Sequence, residues 1–269
     1  MSERQGIEFQ REGYLALKQA TNRYDVLPGP IAAVIACKPP RTCDCGYRFA
    51  DLGCGDGELA WRLLSRHRKV FPAGPVELAL IDTDPVMAAG AIRRFTDIPS
   101  VHARVHETCT WEYLRACPPG SLNLVLASHL LYHVERDRWA EWLRLVLSRL
   151  TRGGVAVIVM RSRAGEWWRI FDPLMASACP LMRQSFVFAE DLFERLGRSV
   201  PVRRKVQADY SATVEDGRHL IELVRFLYRM PEPQRIPQAV TQKLVEFCRA
   251  AGRTQIGFRD SIIPFVRDA

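Results

Sequence analysis

No long apolar run occurs anywhere in this 269-residue chain. A membrane-crossing helix needs roughly 20 consecutive apolar residues, so none is expected. The opening Met1-Ser2-Glu3-Arg4-Gln5 lacks the apolar stretch of a secretory signal. Cysteine pairs at metal-site spacing are missing as well. The eight cysteines (37, 43, 45, 54, 109, 117, 179 and 248) are scattered, and Cys43-Asp44-Cys45 has no partner pair. Free thiols, no bound metal and a reducing, cytoplasmic setting are the expectation. Internal repeats and low-complexity tracts are also lacking. The net charge is +8. Its densest runs, Arg66-His67-Arg68-Lys69 and Arg203-Arg204-Lys205, have no interleaved aromatics. They read as solvated faces, which weighs against nucleic acid as a partner.

What is present is a glycine loop. Phe49-Ala50-Asp51-Leu52-Gly53-Cys54-Gly55-Asp56-Gly57-Glu58 runs from an apolar strand into an amphipathic helix. A second strand, Val76 to Ile81, ends on Asp82 with Thr83 beside it. Strand, glycine turn, helix, strand and acid form the layout of a nucleoside-binding α/β site. The terminal acid can accept hydrogen bonds from both ribose hydroxyls. The spacing is G-x-G-x-G, without the third glycine of a dinucleotide fingerprint. Acids at Asp51, Asp56 and Glu58 would repel a pyrophosphate. They suit a ligand with a cationic end, such as the ammonium and sulfonium of S-adenosylmethionine.

The periodicity predicts one or two helices over 7–38, broken at Leu27-Pro28-Gly29-Pro30, and a loop over 39–46. Strands are expected at 47–52, 76–82, 101–106, 122–128 and 155–160. Helices are expected at 57–69, from Pro85 to about Phe95, and at 135–150. The last of these would close on a Gly153-Gly154 cap. The nearly continuous apolar run Leu122–Ser128 reads as a parallel strand buried on both faces. The alternation predicts a parallel, doubly wound sheet. After 160 the pattern changes to helices at 164–178 and 188–197 and strand six at 201–211. Helical faces over 214–251 follow, then strand seven at 256–266.

Asp51 to Gly57 resembles the first motif, D-x-G-x-G-x-G, of class I S-adenosylmethionine-dependent methyltransferases. That resemblance implies a Rossmann-like, doubly wound seven-stranded sheet, mostly parallel with an antiparallel last strand, and a small helical substrate-binding subdomain. It divides the chain into an N-terminal helical lid region (1–46), a cofactor-binding core (47–160) and a C-terminal part (161–269). The helical cap of that last part covers about 164–197 and 212–252. Further motifs are Glu107-Thr108-Cys109-Thr110-Trp111-Glu112-Tyr113, His129-Leu130-Leu131-Tyr132-His133-Val134, Ser162 to Trp168, and Phe258 to Phe265. Together they resemble the histamine N-methyltransferase group of small-molecule enzymes.

The resemblance implies S-adenosylmethionine as cofactor and S-adenosylhomocysteine as product. It implies cofactor contacts from Asp51, Gly53, Cys54, Gly55, Gly57, Asp82, Thr83, Ser128 and Leu130, with Thr108 or Cys109 at the adenine. His129 takes the place of a substrate-contacting polar side chain, and Trp167 that of a pocket aromatic. Asp260 stands near a C-terminal amide of the family and departs from it. An N-terminal family acid has no clear match, with Tyr24 or Asp25 nearest.

An amine or indole nucleophile arrives with a proton to lose. His129, His133 and Asp260 are the candidates for that chemistry. Helical spacing would put His129 and His133 on one face, with Tyr132 adjacent. Tyr132, Trp167 and Trp168 are candidate substrate contacts, with Tyr14, Tyr24, Asp209 and Tyr210 as weaker lid or pocket candidates. The expected function is methylation of an amine or electron-rich heteroaromatic, at nitrogen or at an indole-type carbon, in specialised metabolism, by a monomer or homodimer. Two alternatives stand beside it. A nucleic-acid methyltransferase would carry N-P-P-Y or D-P-P-Y where this chain has Ala127-Ser128-His129-Leu130. A non-catalytic cofactor-binding regulator would keep the loop and lack turnover.

Overall fold

The computed structural model describes residues 3–37, 46–178, 187–196, 205–214, 217–227, 238, 240–242, 246 and 255–267. Seven strands form one sheet in the order β3-β2-β1-β4-β5-β7-β6. These are β1 (Tyr47–Leu52), β2 (Val76–Asp82), β3 (Val101–Glu107), β4 (Leu122–Ser128), β5 (Leu150–Arg161), β6 (Val206–Thr213) and β7 (Gln255–Val266). Strands β1 to β5 pair in parallel, and β7 pairs antiparallel with β5. The expected mostly parallel sheet, antiparallel at its end, is the observed one.

The central strands are apolar because both of their faces are covered. Every residue from Leu122 to Ala127 is buried, as a parallel strand between two helical layers requires. Asn123 is the polar member of that run. Its Oδ1 accepts the Arg48 backbone N–H at 2.8 Å, so burying it leaves no unmet acceptor. Helices α4 (Glu58–Arg66), α5 (Pro85–Arg93), α6 (Thr110–Ala116) and α7 (Trp139–Arg149) connect these strands. Helix α5 starts as its sequence dictates: Pro85 occupies the first turn and Asp84 accepts the Val86 N–H at 2.9 Å.

Several boundaries differ from the sequence reading. The N-terminal segment breaks at Thr21-Asn22 and at Leu27, giving α1 (Glu3–Ala20), α2 (Arg23–Val26) and α3 (Pro28–Ala36). Pro28 and Pro30 lie inside α3, where a first turn needs no N–H from them. Gly153-Gly154 caps no helix. Helix α7 ends at Arg149, and β5 begins at Leu150 with both glycines inside it. Gly153 has φ +76°, and the register with β4 shifts between Leu122 and Leu124. That irregularity uses glycines as a strand bulge does. Helices α8 (Glu166–Ala178), α9 (Ala189–Leu196) and α10 (Gly217–Leu227) occupy the later part. Residues 39–45 of the predicted 39–46 loop, with Cys43 and Cys45, and the face at Leu244, Phe247 and Cys248 lie outside the described residues.

The chain forms two compact units. One comprises Met1–Val26, Ser162–Phe188 and Asp209–Arg259. Its core joins Leu17, Trp167, Trp168, Tyr210, Leu223 and Phe258, among others. The second comprises Leu27–Arg161, Ala189–Ala208 and Asp260–Ala269. No helix among the described residues is long and apolar enough to cross a membrane.

Candidate functional site

The second unit carries the glycine loop. Gly53, Gly55 and Gly57 have φ of +68°, +55° and +72°, the left-handed region that residues with a Cβ avoid. The turn is pinned from below, because Gly53 N and Cys54 N both donate to Ile81 O at 2.8 and 2.9 Å. Asp82 pins it from the side. Its Oδ2 accepts Gly55 N–H at 2.8 Å and its Oδ1 accepts Asp84 N–H at 2.9 Å. Each carboxylate oxygen has a second acceptor position, so Asp82 can hold the loop and still accept two hydroxyls. Burial raises the Asp82 carboxyl above its usual range, opposed by those backbone N–H groups.

Asp51 is buried at the foot of the loop, 3 % exposed. Its carboxyl is pushed up to about 8, first by desolvation and then by the charges of Asp82 and Asp56. The other two loop acids are engaged by arginines. Arg94 reaches Asp56 Oδ2 at 2.6 Å and Glu58 Oε2 at 2.7 Å, and Arg62 Nε meets Glu58 Oε1 at 2.5 Å. The sequence reading offered all three acids to a cationic ligand. Arg94, brought to the loop by α5, changes that: two are neutralised by the protein itself. A pairing between residues this far apart in sequence left no local signal.

At the end of β4 the chain turns sharply. His129 is the one described non-glycine residue at positive φ, +56°, a conformation that costs about 1–3 kcal/mol and is kept where a side chain must be aimed. Its N–H donates to Val159 O at 2.9 Å. Its ring lies 3.0 Å from Asp260 Oδ2 through Nε2 and 3.1 Å from Tyr132 Oη through Nδ1. Asp260 is fully buried, opposite Arg161 in the β5–β7 register. Tyr132 Oη accepts the Arg161 backbone N–H at 2.6 Å. Leu130 points at the glycine loop: a Cβ added to Gly53 would lie 2.9 Å from Leu130 Cδ1.

Residues 49–154 match a family model described as a methyltransferase domain. That match spans the glycine loop, Asp82 and the end of β4.

The fold is similar to that of solved structures. A loganic acid methyltransferase with S-adenosylhomocysteine aligns over 90 % of this chain and 93 % of its own, at 10 % identity and TM-score 0.55. The YcgJ protein from Bacillus subtilis aligns over 90 % and 99 %, at 13 % identity and TM-score 0.51. Haemonchus contortus phosphoethanolamine N-methyltransferase 2, in complex with phosphomonomethylethanolamine and S-adenosylhomocysteine, aligns over 88 % of this chain at 16 % identity and TM-score 0.48. This chain spans about half of that enzyme's length, 52 %. No curated protein sequence matches the chain.

The remaining candidate residues fall in different places. Thr83 is exposed beside Asp82, and Ser128 is half-buried at the end of β4. Thr108 commits its hydroxyl to Glu112 Oε2 at 2.6 Å, which holds the Glu112 carboxyl below its usual range. Cys109 begins α6. Cys54 is buried, and desolvation pushes its thiol well up.

His133 does not share a helix face with His129. Leu131–His133 is a 3-10 turn, His129 precedes it at positive φ, and the His133 side chain is exposed. Trp167, Trp168 and Tyr210 are all buried in the first unit. Phe258 stacks on Trp167 at 5.2 Å and on Tyr210 at 5.4 Å, and Trp168 packs edge-on to Phe188. Tyr24 is buried too, its hydroxyl 2.7 Å from Tyr14 Oη and 3.0 Å from an Arg23 nitrogen. Asp25 is exposed. Asp209 pairs with Arg259. The backbone of Arg161, which fixes Tyr132, was missed, because a main-chain donor has no residue-type signature.

Proposed function

We propose that this chain methylates a small molecule, an amine or an electron-rich heteroaromatic, at nitrogen or at an indole-type carbon. The reading follows the likeness of its motifs to the histamine N-methyltransferase group. The observation that carries the cofactor assignment is the glycine loop hung on Asp82. Three left-handed glycines open the backbone, and the strand-end carboxylate keeps an acceptor position on each oxygen. Leu130 supplies an apolar neighbour to the loop, and Asp51 a buried carboxyl at its foot.

S-adenosylmethionine, when bound, supplies a methyl group already activated on a sulfonium. The protein's share is alignment and exclusion of water, a contribution that reaches roughly 7–11 kcal/mol in well-oriented systems. Asp82 orients the ribose, and the loop backbone lets the ligand approach closely. His129, held by Tyr132 and Asp260, offers a proton acceptor at the end of β4, where α/β sheets collect their ligands. A small acceptor suits this arrangement, and the loganic acid methyltransferase acts on one with the same fold.

Calorimetric titration with S-adenosylhomocysteine, repeated with NADH, tests the cofactor. Micromolar binding of the first alone is expected. Absence of both would remove the reading. A methyl-transfer screen over amines and indoles then identifies the acceptor.

A further inference from the structure

Residues from three strands and one turn meet beyond the end of β4. His129 follows the strand, Tyr132 sits in the 3-10 turn, Arg161 ends β5 and Asp260 faces Arg161 from β7. The direction of each hydrogen bond follows from what each group can do. The Arg161 backbone N–H only donates, so Tyr132 Oη accepts from it at 2.6 Å. The Asp260 carboxylate only accepts, so the His129 ring proton sits on Nε2, 3.0 Å from Asp260 Oδ2. In the neutral ring Nδ1 is therefore the lone-pair nitrogen, and it accepts the Tyr132 hydroxyl proton at 3.1 Å. The lone pair of His129 is reached through Tyr132.

We propose that the Tyr132 hydroxyl is the proton conduit of this site, taking a proton from the methyl acceptor as its own proton passes to His129 Nδ1. The inference rests on the methyl-transfer reading. It narrows the acceptor to a nucleophile that arrives carrying the proton, an ammonium or a heteroaromatic N–H. The acceptor's N–H bond breaks and its electron pair stays on nitrogen. A new O–H bond forms at Tyr132 as the old one breaks, and an N–H bond forms at Nδ1. The acceptor loses one positive charge and the imidazole gains it. Asp260, fully buried, holds the resulting imidazolium through Nε2–H. The Arg161 guanidinium carbon stands 5.0 Å from the Tyr132 ring centre, where it favours the electron-rich phenol that forms in passing. After turnover the proton returns through the same hydroxyl to water.

The backbone supports the same assignment. His129 stands at φ +56°, which aims its ring between two partners instead of continuing the strand. An ordinary strand exit would not require a left-handed histidine.

The test is a two-bond 1H–15N correlation spectrum of the full chain labelled at histidine nitrogen, with and without S-adenosylhomocysteine. His129→Asn identifies the His129 signals. The Nε2–H tautomer is expected, and Tyr132→Phe should move the Nδ1 resonance toward that of a nitrogen without a donor. A proton on Nδ1, or an Nδ1 resonance indifferent to Tyr132→Phe, overturns the proposal. On the acceptor found by the amine and indole screen, Tyr132→Phe should lower kcat by tenfold or more. KM and S-adenosylhomocysteine affinity should stay near wild type. Wild-type kcat in that variant overturns the conduit even with the tautomer as drawn. A chain that binds no S-adenosylhomocysteine removes the methyl-transfer reading and the conduit with it. The tautomer, read in the ligand-free chain, separates that failure from one of the hydrogen-bond assignment.

Discussion

Burying Asp51 under the glycine loop has a consequence for stability. Its carboxyl rises from 3.8 to about 8. The folded chain therefore keeps a proton that the unfolded chain releases across that window. A raised acid weakens folding as pH climbs from about 4 to about 8, the opposite of a salt-bridged carboxylate. Asp51→Asn removes the penalty, because an amide resembles the protonated acid. Its melting temperature should exceed wild type near pH 8, with the gap closing toward pH 4. Parallel melting curves would mean that Asp51 is already ionised in the folded chain. Asp82 answers to a different measurement. Asp82→Ala removes charge-assisted hydrogen bonds of roughly 1.5–3 kcal/mol, so S-adenosylhomocysteine affinity should fall by about tenfold or more. Unchanged affinity in calorimetry would take Asp82 out of the cofactor site.

Among elements, the turn from β1 into α4 depends on glycines whose surroundings differ. A methyl on Gly53 would meet Leu130 Cδ1 at 2.9 Å, the far end of a flexible side chain. A methyl on Gly57 would meet Ala91 Cβ at 3.1 Å, Ala91 Cα at 3.3 Å and the Phe95 ring at 3.3 Å, none of which yields easily. Both positions add the left-handed penalty, about 1–2 kcal/mol for a residue with a Cβ. Gly57→Ala should therefore cost more in denaturant-measured stability than Gly53→Ala, while Gly53→Ala should be the more damaging to cofactor affinity, since it displaces Leu130. Equal costs would show that φ alone decides. These glycines were legible in sequence because a strand-to-helix turn with close backbone approach needs them at fixed spacing. The ends of β1, β2 and β4 were legible for a similar reason: buried parallel strands are continuous apolar runs bounded by turn residues. Gly153-Gly154 misled because a bulge and a helix cap ask the same of glycine. The His129 turn was opaque. A left-handed histidine leaves no periodicity, and the i, i+4 spacing to His133 imitated a helix that the chain does not form.

For the molecule as a whole, the division into units is not one of consecutive segments. The sequence suggested boundaries at 46 and 160. In the structure the first unit gathers Met1–Val26, Ser162–Phe188 and Asp209–Arg259, and β6 and β7 each contribute residues to both units. Composition changes along a chain cannot reveal a unit assembled from three separate stretches. The aromatic residues show the same limit. The family resemblance makes Trp167 a pocket-aromatic candidate, and Tyr210 is a weaker lid or pocket candidate. They are buried and flank Phe258 in a stack that the first unit uses as core. The cofactor candidates from Asp51 to Leu130 all belong to the second unit, which has a core of its own in β1, β2 and β4. Trp167→Ala should therefore act on stability: removing a fully buried indole costs about 3–5 kcal/mol. S-adenosylhomocysteine affinity, measured by calorimetry at a temperature where the variant remains folded, should stay within about threefold of wild type. A sharp loss of affinity would show that folding of the first unit is required for the cofactor loop to form. Near-native stability would return Trp167 to the list of substrate contacts.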